Sequence, residues 1–122
     1  MIGVGVDLVR IPRIEEAIDR SENAFLNKVF TRREIENASL ENKAAYFATR
    51  FAGKEAVLKA LCVGWAYGVE GTDIDIGSGK FGEPTVRLSG KVSEIAAEKG
   101  VSDVLLSLTY EAEYAIAVAI LQ

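Results

Sequence analysis

The acidic and basic residues that could carry chemistry lie in two short segments. In the first, residues 2–8, the residues Gly3, Gly5 and Asp7 alternate with apolar residues. A β-strand there would place both glycines and the aspartate on one face. Glycine lets another backbone or a ligand come close to that face. The alternative is that Asp7 simply ends a strand and begins a turn.

The second segment lies in a helix predicted over residues 42–62. At about 100° per residue, the side of this helix that carries Glu55 is otherwise apolar: Phe47, Ala48, Phe51, Leu58 and Cys62. A carboxylate there needs compensating cations or hydrogen bonds, and Arg50, Lys54 and Lys59 supply positive charge. This pattern suits a site for a metal ion and a phosphorylated ligand. By itself, however, it favours an ordinary i,i+4 pair between Glu55 and Lys59.

The composition limits the metal ligands and catalytic groups that the chain can use. The chain has no histidine, which excludes imidazole ligands and histidine-based triads and makes zinc improbable. A hard cation held by Asp and Glu oxygens remains available. Cys62 is the single cysteine, so an internal disulfide is impossible and we expect a reducing, cytoplasmic compartment. No apolar run approaches the length of a membrane span, so no membrane association is expected.

Charge is distributed unevenly. Residues 1–60 carry ten Lys/Arg and nine Asp/Glu, whereas residues 61–122 carry four and nine, for a net charge of −4. An acidic protein is a poor candidate for nucleic-acid binding. The local basic cluster Arg10, Arg13 and Arg20 could still dock an acidic protein, or it could be a solvated surface balanced by neighbouring acids.

The remaining patterns predict a single α+β domain over residues 1–122. We expect one long central helix packed on a mainly antiparallel sheet. Other helices are predicted over residues 12–21, 24–29 and 92–99, with a capping-box pattern at 31–34. Strands are predicted over residues 72–77, 85–88, 104–109 and 114–121.

Two features indicate contacts beyond one subunit. The back of the long helix consists of small residues: Ala45, Thr49, Ala52, Gly53, Ala56 and Ala60. The strand over residues 114–121 is apolar on both faces, although only one face can cover the core of its own domain. The other face requires cover from a helix or another subunit.

The two segments and their spacing resemble the holo-[acyl-carrier-protein] synthase family of small phosphopantetheinyl transferases. That family opens with a Gly-x-Gly-x-Asp strand and a basic helix, and later carries Arg-Phe-Ala-x-Lys-Glu-Ala-x-x-Lys-Ala. Residues 3–7 and 50–60 match these motifs at the family's separation. Residues 30–34 and 107–117 are also similar, so the resemblance spans essentially the whole chain.

The resemblance implies magnesium-dependent transfer of 4′-phosphopantetheine from coenzyme A to a serine of apo acyl carrier protein, with release of adenosine 3′,5′-bisphosphate. Asp7 and Glu55 match the family's metal carboxylates, and either Glu55 or a metal-bound water could accept the serine proton. The positions expected around coenzyme A are Arg50, Lys54, Lys59, Gly64, Thr109 and Tyr110, with Lys59 also catalytic. Arg10, Arg13 and Arg20 would meet the acidic carrier protein. The family also implies a homotrimer joined through the sheet side, with sites between subunits.

The chain departs from the family pattern at two places. Cys62 and Val63 replace a glycine and a threonine before Gly64, and Tyr110 replaces a histidine near the nucleotide. We therefore expect an intact metal site, rebuilt nucleotide recognition and an active enzyme. The competing hypotheses are a non-catalytic protein that binds carrier protein and, more weakly, a magnesium-dependent nucleotide hydrolase. No Walker-type glycine loop supports the hydrolase.

Overall fold

A central helix packed on antiparallel strands organises the computed structural model, which describes residues 2–122. Its elements are β1 (Gly3–Arg10), α1 (Ile11–Val29), α2 (Arg32–Glu36), α3 (Lys43–Ala60), β2 (Ile74–Ser78), β3 (Pro84–Leu88), α4 (Gly90–Glu98), β4 (Val104–Glu111) and β5 (Tyr114–Leu121). The predicted α+β class is confirmed. The strands form two antiparallel sheets, however, ordered β1-β5-β4 and β2-β3. None of the helices within residues 2–122 is both long and apolar enough to cross a membrane.

Small residues let helix α3 lie very close to the three-stranded sheet. A Cβ atom at Gly3 or Gly5 would overlap the backbone carbonyl of Ala60 or Ala56. In β5 the residues facing the helix are the fully buried alanines Ala115, Ala117 and Ala119. The alanine-rich back of α3 is thus covered by the chain's own sheet, which corrects its assignment to a contact between subunits. The predicted close approach at the β1 glycines is confirmed.

The other face of this sheet is apolar and exposed. In β1 the apolar residues Val4, Val6 and Leu8 point away from α3 and are each more than half exposed, whereas Val9 is buried in the core. Strand register aligns them in rows with residues of β5 and β4. We call this surface the outer face; it consists of Ile2, Val4, Val6, Leu8, Leu105, Ser107, Thr109, Ile116, Val118 and Ile120. The second apolar face predicted for residues 114–121 is therefore present, and β1 enlarges it.

One local prediction is confirmed and another needs correction. The two helices predicted over residues 12–21 and 24–29 are both present within α1, which is interrupted at Ser21, where φ is −163° and ψ is 74° and the backbone is not helical. Cys62 does not lie on the apolar side of α3, because that helix ends at Ala60. Cys62 is exposed and has a φ of 61°, a left-handed conformation that commonly ends a helix.

Candidate active site

Asp7 and Lys59 form an ion pair where β1 crosses α3. Lys59 Nζ donates to Asp7 Oδ1 at 2.9 Å and to the Val6 carbonyl at 3.1 Å. The Asp7 side chain is 13% exposed and that of Lys59 54%. The hydrogen bond and the charge of Asp7 raise the pKa of Lys59, and the charge of Glu55 adds to the effect. Lys59 therefore pairs with Asp7. It does not form the i,i+4 pair with Glu55 that the helix pattern alone favoured.

Glu55 has a different hydrogen-bond partner, which sequence reasoning missed. Its Oε1 accepts a hydrogen bond of 2.9 Å from Trp65 Nε1. Trp65 lies in the loop after α3, and loop residues have no periodicity that would connect them to a particular helix position. The indole also lines a cavity of about 580 Å³ together with Phe51 and Val69.

Asp7 and Glu55 offer oxygen ligands of the type that a magnesium ion takes. Within residues 2–122, the hydrogen bonds found on them involve only Asp7 Oδ1 and Glu55 Oε1, so each has a second oxygen to offer. Magnesium takes one or two carboxylates and keeps several waters. The described residues contain no group of three or more His, Cys, Asp or Glu that could hold a metal. We refer to Asp7, Glu55 and Lys59 as the carboxylate cluster.

Lys54 is buried, which contradicts its predicted contact with coenzyme A phosphates. Its Nζ donates to both Glu34 oxygens at 2.7 and 3.0 Å, to Gly71 O at 2.8 Å and to Ile74 O at 2.5 Å. Both side chains of the Lys54–Glu34 pair are 0% exposed. Burial lowers the pKa of Lys54, against the opposing effect of Glu34. An ammonium with four protein acceptors and no exposed surface is a structural group.

Glu34 also connects α2 to the second sheet. It accepts hydrogen bonds from the backbone of Thr31 at 2.8 Å and of Ile76 at 2.7 Å. The capping box predicted from Thr31 and Glu34 is present. The sequence signal thus identified the local role of Glu34 but not its pairing with Lys54, 20 residues later.

Arg50 presents a second, separate positive site. With Thr109 and Tyr110 it lines a cavity of about 400 Å³, which places three of the residues predicted to bind nucleotide together. Its guanidinium lies 4.1 Å from the centre of the Tyr46 ring, a cation–π contact. Arg50 Nε is buried without a hydrogen-bond partner within the described chain. Because a buried donor normally has a partner, Arg50 is suited to an anionic ligand.

The Arg50 cavity and the carboxylate cluster face different directions. Arg50 and Lys59 are nine residues apart on α3, which is about half a turn round the axis and about 13 Å along it. A single chain therefore does not bring the two sets of predicted residues to one place.

The remaining predicted residues lie at the surface. Arg10 Nη2 forms an exposed ion pair of 3.1 Å with Glu113, and this contact raises the pKa of Arg10. Arg13 and Arg20 are exposed on α1 and, seven residues apart, they point to the same side. They form no ion pair within residues 2–122 that would neutralise them. Gly64 is exposed, and a Cβ atom there would meet no other atom within 4 Å.

Comparison with known proteins gives a consistent result. A sequence model of the 4′-phosphopantetheinyl transferase superfamily matches residues 3–119. A holo-[acyl-carrier-protein] synthase of Vibrio campbellii is 40% identical over 123 aligned residues, covering 100% of this chain and 98% of the relative. One from Desulforudis audaxviator is 42% identical over 122 residues, covering 98% and 92%.

Solved structures also resemble the chain over nearly its whole length. A holo-[acyl-carrier-protein] synthase of Neisseria meningitidis superimposes with a TM-score of 0.89 at 30% identity, covering 100% of this chain and 98% of the other. That of Helicobacter pylori, solved in complex with coenzyme A, gives a TM-score of 0.86 at 31% identity and covers 98% and 99%. The likeness therefore extends over the whole fold.

Proposed function

We propose that this chain, which belongs to the 4′-phosphopantetheinyl transferase superfamily, transfers 4′-phosphopantetheine from coenzyme A to a serine of an apo acyl carrier protein. The observation that carries the proposal is the carboxylate cluster, which two family motifs supply and the fold assembles around Lys59. Relatives that are full-length matches are named holo-[acyl-carrier-protein] synthases. The second product is adenosine 3′,5′-bisphosphate.

The transfer needs stabilised negative charge and a proton acceptor. The serine Oγ forms a bond to the phosphorus next to the pantetheine arm, while the bond from that phosphorus to the bridging pyrophosphate oxygen breaks. The leaving phosphate keeps the electron pair. A magnesium ion held by Asp7 and Glu55 would supply positive charge to the phosphates. The protonated Lys59 adds a fixed charge beside them, and Glu55 or a water that it holds accepts the serine proton.

A homotrimer with shared sites accounts for the two separated positive regions. The outer face is a contiguous exposed apolar surface, a feature that commonly marks protein–protein contacts, and cover by a second copy would bury its apolar rows. Such packing would let the Arg50 cavity of one subunit meet the carboxylate cluster of the next. Arg50, Thr109 and Tyr110 would then bind coenzyme A across the boundary. The exposed Arg13 and Arg20 suit an acidic carrier protein, with Arg10 contributing less because Glu113 neutralises it.

Intact mass spectrometry of an apo acyl carrier protein tests the activity directly. After incubation with the enzyme, coenzyme A and magnesium, we expect the carrier to gain one phosphopantetheine. Asp7→Ala and Glu55→Ala should each abolish the gain without unfolding the protein, because each removes a magnesium ligand. If the wild type binds the carrier without modifying it, the chain is a non-catalytic binding protein.

Assembly can be tested by placing a charge on the outer face. Val118→Lys inserts an ammonium in the middle row, between Val6 and Ser107, and we expect sedimentation to show a monomer that has lost transfer activity. Thr85→Lys, at an exposed position of β3 in the other sheet, is the matched control. It should leave the oligomeric state and the transfer activity unchanged. A fully active Val118→Lys monomer would refute the shared site. A cytoplasmic location remains a prediction from composition.

A further inference from the structure

Trp65 joins the loop after α3 to the carboxylate cluster. The loop turns back because Cys62 adopts a φ of 61° and the Val63 amide bonds to the Leu58 carbonyl at 3.0 Å. This turn returns the indole to Glu55, where Nε1 donates to Oε1 at 2.9 Å. Trp65 is 42% exposed, so the hydrogen bond does not depend on a surrounding core.

The orientation of Glu55 depends on this contact. A partly exposed glutamate has several rotatable bonds, and ordering them has an entropic cost. Lys59, one turn further along α3, is bonded to Asp7. Within residues 2–122, the indole N–H is the only hydrogen-bond donor found on the Glu55 carboxylate. A bond to an ionised acceptor is stronger than one between neutral groups, and it occupies Oε1 while leaving Oε2 available.

We infer that Trp65 is a positioning residue that holds the Glu55 carboxylate ready for the magnesium ion. The inference rests on the proposed function, which makes Glu55 a metal ligand. Groups that orient a ligand carboxylate in this way commonly account for about 10-fold or more in metal affinity or activity. Because Trp65 also lines the cavity that contains Phe51 and Val69, a molecule entering that cavity would contact the residue that orients Glu55.

The decisive variant is Trp65→Phe, which keeps an aromatic ring at the cavity that Phe51 also lines and removes the N–H donor. Titration calorimetry with magnesium chloride alone should show binding about 10-fold weaker than in the wild type. With coenzyme A and apo carrier protein, kcat should fall about 10-fold, while KM for the carrier stays close to the wild-type value. Tyr67→Phe is the matched control, since Tyr67 is 70% exposed in the same loop and should change none of these quantities.

Fluorescence gives a test that needs no variant at Trp65. Trp65 is the single tryptophan of the chain, so tryptophan emission reports on the surroundings of this side chain, which include Glu55. Glu55→Ala removes the acceptor and should shift the emission maximum relative to the wild type. An unchanged spectrum would show that the contact does not exist in solution and would overturn the inference even if Trp65→Phe failed to fold.

The outcomes separate this inference from the proposed function. Equal magnesium affinity and equal kcat in Trp65→Phe and the wild type would overturn the positioning role while leaving phosphopantetheine transfer established. Conversely, if the wild type modifies no carrier protein but Trp65→Phe still binds magnesium about 10-fold more weakly, the proposed function fails and the positioning role stands.

Discussion

Helix α3 carries two lysine–carboxylate pairs whose chemistry is the same and whose surroundings are opposite. Lys54 pairs with Glu34 at 2.7 Å, and Lys59, five residues later, pairs with Asp7 at 2.9 Å. The Lys54 pair is 0% exposed, whereas more than half of the Lys59 side chain is in contact with solvent. Distance alone therefore cannot separate a structural ion pair from one available to a substrate; burial and the number of protein acceptors do.

The surroundings of the two lysines shift their pKa values in opposite directions. Burial lowers the pKa of Lys54 because the charged form loses its hydration. For Lys59 the main effect is Asp7, which raises the pKa. Lys54 has its hydrogen-bonding capacity filled by Glu34 and two carbonyls. The Lys59 ammonium retains an exposed surface that a phosphate could approach.

The largest expected effect comes from breaking the buried pair. Lys54→Met leaves Glu34 as an uncompensated buried charge, which typically costs about 3–5 kcal/mol. We expect the free energy of unfolding in urea to fall by that amount. Lys43→Met is the matched control, because Lys43 begins the same helix and its pair with Glu22 is partly exposed; its loss should cost at most about 1 kcal/mol.

A second measurement on the same variant separates structure from substrate binding. If Lys54 is structural, the folded fraction of Lys54→Met should keep a near-normal KM for coenzyme A. A stable variant with a strongly raised KM would mean that Lys54 reaches the phosphates, against its burial. The double variant Lys54→Met, Glu34→Gln removes both charges and should recover part of the lost stability.

Removal of the exposed pair should affect catalysis and leave stability almost unchanged. Lys59→Met deletes a charge beside the reacting phosphates, and we expect transfer to fall about 100-fold. The free energy of unfolding should change by at most about 1 kcal/mol, as for other surface ion pairs. Intact mass spectrometry measures the transfer rate, and urea unfolding of the same preparation measures the stability. A loss of stability as large as that of Lys54→Met would remove the contrast between the pairs.

The smallest expected effect is on stability at alkaline pH. The folded-state pKa of Lys59 is raised above its unfolded value, so its stabilisation is complete below the unfolded pKa, about 10.4. That stabilisation is lost as pH rises through the higher folded-state pKa. As pH rises above about 10, wild-type stability should fall slightly more steeply than that of Lys59→Met. The free energy of unfolding is measured in urea at a series of pH values. Equal slopes of this free energy against pH in the two proteins would contradict the expectation.

Local residue patterns predicted most of the helices and strands and drew attention to two acids, Asp7 and Glu55. Period-2 alternation at Gly3, Gly5 and Asp7 and the capping box at Thr31 predicted local structure correctly, because both signals act within a few residues. A helix is predicted over residues 42–62 from its residue pattern, and α3 spans Lys43–Ala60. Asp7 and Glu55 are candidates from the sequence, since each stands out against apolar or glycine neighbours in its own segment.

Long-range packing sets which neighbours these residues acquire. Lys54 and Lys59 have equivalent sequence signals, yet Glu34 and the turn at Gly71 enclose the first and β1 leaves the second at the surface. The outer face arises because Gly3 and Gly5 of β1 point toward α3, which leaves Val4 and Val6 on the opposite side. Likewise, the path of the loop after α3 brings Trp65 to Glu55. Periodicity specifies which side chains share a face, but burial depends on what packs there, and here those partners come from distant parts of the chain.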